Sequence, residues 1–172
     1  MFILQDKGIL KEMITDKGST ISELSHQSPV LLVFLRHLGC VFCRETLSDL
    51  KKIKDKITSL GTRIVLVHMA EFQEASELFE KYEFRDIHHV SDVDNKYYQE
   101  FGLSKGDFKQ LFGFKSWLGM GRATIKGNRP DKVMGDPTQL PGIFLLENDK
   151  IEKSFIYSSV GDYPNFLDLA TI

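Results

Sequence analysis

Residues 30–45 read VLLVFLRHLGCVFCRE. The first part, Val30 to Arg36, is a nearly unbroken apolar run rich in branched side chains, with Pro29 before it and Gly39 after it. A strand buried on both faces reads this way. Downstream, Cys43, Leu47, Leu50, Ile53, Ile57 and Leu60 recur at spacings of three and four, with Lys51, Lys52, Lys54 and Lys56 on the opposite side. That is one apolar helical face, and Gly61 stands where the helix should stop. RIVLVHM, Arg63 to Met69, then reads as a second buried strand. The chain's two cysteines, Cys40 and Cys43, therefore fall at the junction between a strand and the N-terminus of a helix, inside a β–α–β unit.

That location bears on chemistry. The first turn of a helix presents unpaired N–H groups and a partial positive charge, which stabilise a thiolate. Arg36, His37 and Arg44 add positive charge if they point inward. Cys40 is expected to be the exposed thiol. Cys43 continues the apolar face and is expected to be buried, so one thiol attacks and the other resolves. Val41 and Phe42 between them are apolar, which does not favour a strongly oxidising couple.

Composition narrows the class. The chain has 172 residues, 42% of them hydrophobic and 27% charged, and a net charge of −2. One domain spanning 1–172 with a sizeable core is expected. No long basic run supports nucleic-acid binding. No apolar stretch approaches the ~18 residues of a membrane span, and MFIL is too short for a secretory signal, so a cytoplasmic protein with no membrane partner is expected. In that setting C-x-x-C beside a β–α–β pattern reads first as a redox couple.

The rest of the chain supplies further elements. A short helix over Ile9 to Thr15 precedes STISELS, where Ser19 or Thr20 opens a capping box. Glu71 to Phe84 reads as a helix, Ile87 to Val90 as a short strand, and SDVDNKYYQEFGL as a helix capped by Asp94 and stopped by Gly102. Residues 104–135 are rich in glycine and aromatics and read as an insertion with one amphipathic helix over about 107–118. Gly142 to Glu147 and Ile151 to Ser158 form a hairpin about Asn148-Asp149. Asp162 and Pro164 open a last helix.

The order strand–CxxC–helix–strand–helix, then hairpin and helix, resembles the thioredoxin fold: a mixed central sheet flanked by helices. LPGIFLLENDKI extends the resemblance, since Pro141 stands where that fold carries a cis-proline beside its CxxC. VFLRHLGCVFCRE, SDVDNKYYQEFGL, GMGRATIKGN and GDPTQLPGIFLLE, in that order, resemble peroxiredoxin-like proteins of the alkyl hydroperoxide reductase/thiol-specific antioxidant group, above all the peroxiredoxin-like-2 branch. The resemblance implies a thiol–disulfide oxidoreductase with Cys40 and Cys43 as the redox pair and Arg44 and Glu45 completing the motif. It implies no cofactor. Peroxide, disulfide or quinone-like substrates and a thioredoxin- or glutathione-type electron donor follow from it. The exposed aromatics leave room for a homodimer. The peroxiredoxin P-x-x-x-T-x-x-C loop is absent: Cys43 stands at its cysteine and Cys40 at its threonine. The arginine of the late strand is also missing, with Gln139, Leu140 and Pro141 there instead. Both departures weigh against fast peroxide capture, which needs fixed donors. A dithiol couple survives both.

Around the cysteines, Arg36, His37, Phe42, Trp117 and Leu140 are the candidate substrate-binding residues, with Pro141 shaping the backbone edge where an extended substrate would lie. Trp117 or Phe114 is expected to cover the thiols. Glu45 is either a plain helix residue or a proton shuttle for Cys43. The rival readings are a non-catalytic redox sensor and a metal-binding module. In the latter, His37, Cys40 and Cys43 are joined by His68, His88 or His89. His68 otherwise reads as a core histidine, and His88 and His89 alternate faces.

Overall fold

The computed structural model describes residues 8–107 and 111–172, without the side chains of Phe114 and Lys115. Five strands form one mixed sheet of order β3-β2-β1-β4-β5. β1 (Val30–Phe34), β2 (Arg63–His68) and β3 (His88–Ser91) run parallel, and β4 (Gly142–Glu147) lies antiparallel to β1 with β5 (Lys150–Ile156) at its edge. β1 is central and wholly buried. Successive side chains of a strand leave on opposite faces. Accordingly Leu31 and Val33 join a core beneath α3 (Val41–Ser59). Val30, Leu32 and Phe34 join a second core closed by α1 (Ile9–Glu12) and α2 (Ile21–Gln27). The continuous apolar run of β1 thus serves two cores at once.

Most elements fall where the sequence places them. Thr20 opens α2 with a full capping box: its side chain accepts from the Glu23 N–H and its own N–H donates to Glu23. Gly61 sits at φ +83, the left-handed conformation that ends α3. Asn148 and Asp149 both have positive φ, as a tight two-residue hairpin turn requires.

Several elements differ. α1 stops at Glu12, because Ile14 leaves the helix to bridge Thr20. α4 (Phe72–Lys81) and α5 (Lys96–Glu100) form as expected, but α5 is capped by Asp92, not Asp94. The Asp92 carboxylate accepts from the N–H groups of Lys96 and Tyr98 at 2.9 and 3.0 Å. Asp162 does not cap the last helix, α7 (Phe166–Leu169). Asn165 does, while Asp162 accepts from the backbone of Ser158 and Ser159. In the 104–135 region residues 111–112 are helical, and a further helix, α6, runs from Phe114 to Ile125, past the expected end at about 118. Part of the expected span, 108–110, lies outside the described residues, as does the MFIL segment. Among the described residues no helix is long and apolar enough to cross a membrane.

Candidate functional site

β1 delivers the chain to the N-terminus of α3 at the middle of the sheet. Residues 35–39 make the turn, Cys40 takes the N-cap position with an extended backbone, and Cys43 sits in the first helical turn. Both thiols are free. Both are also buried: Cys40 is 6% and Cys43 2% exposed. The expectation of an exposed Cys40 is therefore corrected, and the cause is a strap of chain over the turn. The Leu38 N–H donates to Met134 O and the Asp131 N–H to Gly39 O. Gly39 has no room for a side chain, since an added Cβ would lie 2.1 Å from the Lys132 carbonyl oxygen. Arg44 secures the strap, donating to Leu38 O at 3.1 Å and to the Asp131 carboxylate at 3.0 Å.

Arg36 points inward. Its Nη1–H donates to Cys40 Sγ at 2.9 Å, its Nε–H to Gln139 O at 3.3 Å, and its Nη2–H to Pro137 O. The guanidinium is buried, and among the described residues no carboxylate pairs with it. A buried cation needs an anion. The Cys40 sulfur is the side-chain acceptor that the Arg36 Nη1–H reaches. His37 does not add charge. Burial, then the neighbouring Arg36, push its imidazole down to about 4 against the pull of Asp136, so it is neutral at pH 7. Cys43 is pushed well up, first by burial and then by Cys40. Arg44 and Arg36 offset this only in part. Cys43 is thus a protonated thiol in the resting protein.

A cavity of about 20 Å³ lies against Cys43, lined among others by Arg36, Phe42, Thr46, Pro141 and Tyr157. It has room for about one water-sized molecule. Pro141 thus stands beside the second cysteine as expected, but its peptide bond is trans, not cis. Leu140 is fully buried in the core, held by its N–H to Ser104 O, and is not open to a substrate. Trp117 is 77% exposed and does not cover the thiols. Phe114 lies outside the described side chains. The helix α6 does reach the site through Gly119. A Cβ at that position would meet Phe42 at 2.9 Å and Gly161 at 2.8 Å, so the two backbones approach closely there.

Glu45 is neither a plain helix residue nor free to shuttle a proton. It is buried and clamped by Arg122, with Nε and Nη2 at 2.8 and 2.9 Å from its two oxygens, and by Lys126 at 3.1 Å. Asp49, one turn on, accepts from Lys126 and from the Tyr163 hydroxyl, each at 2.8 Å. Burial opposes the Lys126 charge, but hydrogen bonds to Asp49, Tyr163 and Glu45 outweigh it and hold its pKa above the usual lysine value. The sequence carries a signal for this network: acids at 45 and 49 on one helix and bases at 122 and 126 on another share the i, i+4 spacing. His68, His88 and His89 are engaged with one another and with hydroxyl groups. His68 bonds His89 at 2.8 Å, His89 also meets Ser76, and His88 meets Thr15. Among the described residues no three His, Cys, Asp or Glu converge to hold a metal ion.

Comparison with known proteins fits this architecture. A family model described as AhpC/TSA antioxidant enzyme matches residues 47–159. The prostamide/prostaglandin F synthase of Sus scrofa is 25% identical over 166 residues, covering 90% of this chain and 78% of that protein. Among solved structures, peroxidoxin BcpB from Mycobacterium tuberculosis aligns with a TM-score of 0.60 at 15% identity, over 87% of this chain and 82% of that one. The bacterioferritin comigratory protein of Xanthomonas campestris aligns at 0.57 and 14%, over 90% and 85%. At such identities the solved structures speak for the fold alone. The family match covers more than half of the chain and begins just after the cysteine pair, on the helix that positions it; with the thioredoxin-like sheet beneath, the chain belongs to the AhpC/TSA antioxidant enzyme family.

Proposed function

We propose that this protein is a thiol-dependent oxidoreductase in which Cys40 attacks and Cys43 resolves. The reading takes residues 1–172 as one thioredoxin-like domain with 104–135 as its insertion. It rests on one observation above all: the buried Arg36 guanidinium lies 2.9 Å from Cys40 Sγ with no carboxylate partner among the described residues. A thiolate at Cys40 relieves that charge at the N-terminus of α3, where the helix dipole adds to the effect.

With a peroxide as oxidant, the Cys40 thiolate attacks one peroxide oxygen. The O–O bond breaks, the alcohol leaves with a proton from solvent, and Cys40 becomes a sulfenic acid. The Cys43 thiol then attacks that sulfur, water leaves, and a Cys40–Cys43 disulfide forms. An external dithiol of the thioredoxin type, or two glutathione-type thiols, reduces it by exchange. Keeping Cys43 protonated until this step prevents two adjacent thiolates from repelling each other. The donors that peroxide capture needs are supplied by Arg36 and the first N–H groups of α3. The Xanthomonas neighbour is described with alkyl peroxide reduction activity, which supports a peroxide as the first substrate to try.

A second scheme exchanges the roles of the cysteines. The small cavity touches Cys43, not Cys40, and so favours capture at Cys43. The burial that pushes the Cys43 thiol up weighs against it, as does the Arg36 hydrogen bond to Cys40. The test is to mix reduced protein with hydrogen peroxide, follow thiol loss and map products by mass. Cys40→Ser should abolish fast oxidation, and Cys43→Ser should trap a sulfenic acid on Cys40. Fast oxidation surviving in Cys40→Ser reverses the assignment. Loss no faster than free cysteine removes peroxide as the substrate.

A further inference from the structure

The helix α6 is turned the wrong way round for a helix that packs by its large apolar side chains. Apart from Arg122, which reaches Glu45, the residues it turns to the body of the protein are small: Ser116, Gly119 and Ala123 are buried. Its described large apolar side chains face out. Trp117, Leu118 and Ile125 are 77%, 58% and 89% exposed, and Met120 is close to half exposed. Gly121, between them, has open space above it. A helix in a globular protein normally buries the stripe that α6 shows to solvent. The outer face carries no acidic side chain.

The charge around this face is equally uneven. Residues 105–132 hold seven Lys and Arg against two Asp, in a chain whose net charge is −2, so the remainder is acidic. Three of the seven are internally paired: Arg122 and Lys126 with Glu45 and Asp49, and Lys105 with Asp136. Asp131 is taken by Arg44. Arg129 and Lys132, four and seven residues past the end of the helix, are exposed.

We propose that the outer face of α6 docks on the surface of an anionic lipid bilayer, with Trp117, Leu118 and Ile125 entering the headgroup region and the flanking cations facing the lipid charge. A short helix with an apolar outer face, a tryptophan and nearby bases has the composition of one that lies in a membrane interface, which requires no membrane-spanning length. A second copy fits less well. Twelve residues make a rod about 18 Å long and roughly 10 Å wide, a footprint well short of the ~800 Å² per partner of a stable interface. A two-fold pairing of this face would also oppose like charges.

The chain contains a built-in reporter, because Trp117 is its sole tryptophan. Full-length protein is titrated with vesicles of equimolar phosphatidylcholine and phosphatidylserine while tryptophan emission is recorded. The expected result is a blue shift that saturates with lipid, is much smaller with pure phosphatidylcholine, and is reversed by molar salt. Leu118→Asp with Ile125→Asp should abolish it while the far-ultraviolet circular dichroism stays unchanged, and Trp117 still reports. An emission spectrum that ignores anionic vesicles overturns the proposal. So does a shift that follows protein concentration without lipid, which assigns the face to a second copy. Equal shifts with both vesicle types overturn it as well, since the charge has then played no part.

Discussion

Gly39→Ala tests the closest approach in the site. The added methyl would sit 2.1 Å from Lys132 O and 2.4 Å from Asp131 O, whereas ordinary contact begins at 3.4 Å. Both obstacles are backbone, so no side chain can swing away. The strap must move by roughly an ångström or more, which strains the bonds from Asp131 N–H to Gly39 O at 2.9 Å and from Leu38 N–H to Met134 O at 3.2 Å. Overpacking of this kind costs about 1–3 kcal/mol, and each lost hydrogen bond about 1 kcal/mol. Because the strap is a loop and relaxes in part, the net expectation is about 2–3 kcal/mol. In urea that lowers the unfolding midpoint by about 1 M. The lifted strap should also speed the reaction of Cys40 with a bulky aromatic disulfide reagent. Gly121→Ala is the matched control: it stands within α6 with nothing within 4 Å, so removing glycine there should stabilise by about 0.5–1 kcal/mol. An unchanged midpoint and an unchanged thiol reaction rate in Gly39→Ala would falsify the view that the strap closes over Cys40.

Arg122→Met leaves Glu45 with Lys126 alone and should cost about 1–3 kcal/mol. Adding Lys126→Met strands a buried carboxylate, and the double variant should lose more than the sum of the singles in denaturant titrations. Acid should weaken the fold through its buried histidines. Burial, then His89, hold His68 near about 3, and His37 is held near about 4, both below the usual 6.5. The unfolded chain therefore binds more protons than the folded one across that interval, and stability falls as pH drops through 6.5. Melting temperature should decline between pH 7 and about 5, and less so in His68→Leu; an equal decline in that variant refutes the assignment. Asp92→Ala should destabilise by about 1–2 kcal/mol through loss of the α5 cap, and Asp94→Ala by under about 0.5 kcal/mol in the same assay.

Local periodicity carries most of the fold. β1 reads as buried on both faces because every residue of VLLVF is apolar, and the apolar stripe of α3 is plain at spacings of three and four. Capping is less legible where two acids compete. Asp92 and Asp94 both precede α5, and only the backbone geometry, with Asn95 at φ 58, turns the Asp92 carboxylate onto the helix N–H groups. Long-range closure is not legible at all. Nothing in HLGC says that residues 131–134 lie across it, so the burial of Cys40 was out of reach. The inward face of α6 is not legible for a physical reason as well: the stripe that packs is Ser, Gly and Ala, which a hydrophobic pattern does not register. The Leu140 and Trp117 assignments inverted inside and outside for the same lack of tertiary context.

Arg36 shows how topology can supply what local sequence withholds. The stretch before β4, Gln139-Leu140-Pro141, has no arginine, and the resemblance to peroxiredoxins made that an apparent defect. β1 and β4 are hydrogen-bonded neighbours at the centre of the sheet, with Phe34 opposite Gly142. The residues just past β1 therefore lie beside those just before β4. A guanidinium at position 36 bonds the carbonyls of Pro137 and Gln139, and from there reaches the sulfur at position 40. The carbonyls orient it without neutralising it, and on the proposed mechanism its charge acts on Cys40. Replacing Arg36 by Lys keeps one charge but cannot span two carbonyls and a sulfur with a planar fork. Arg36→Lys should therefore fold, retain the Cys40–Cys43 disulfide as product, and lose about 10-fold or more in the rate of peroxide-driven thiol loss. A rate equal to that of the parent protein would mean that the helix N-terminus alone activates Cys40 and that Arg36 only braces the strand ends.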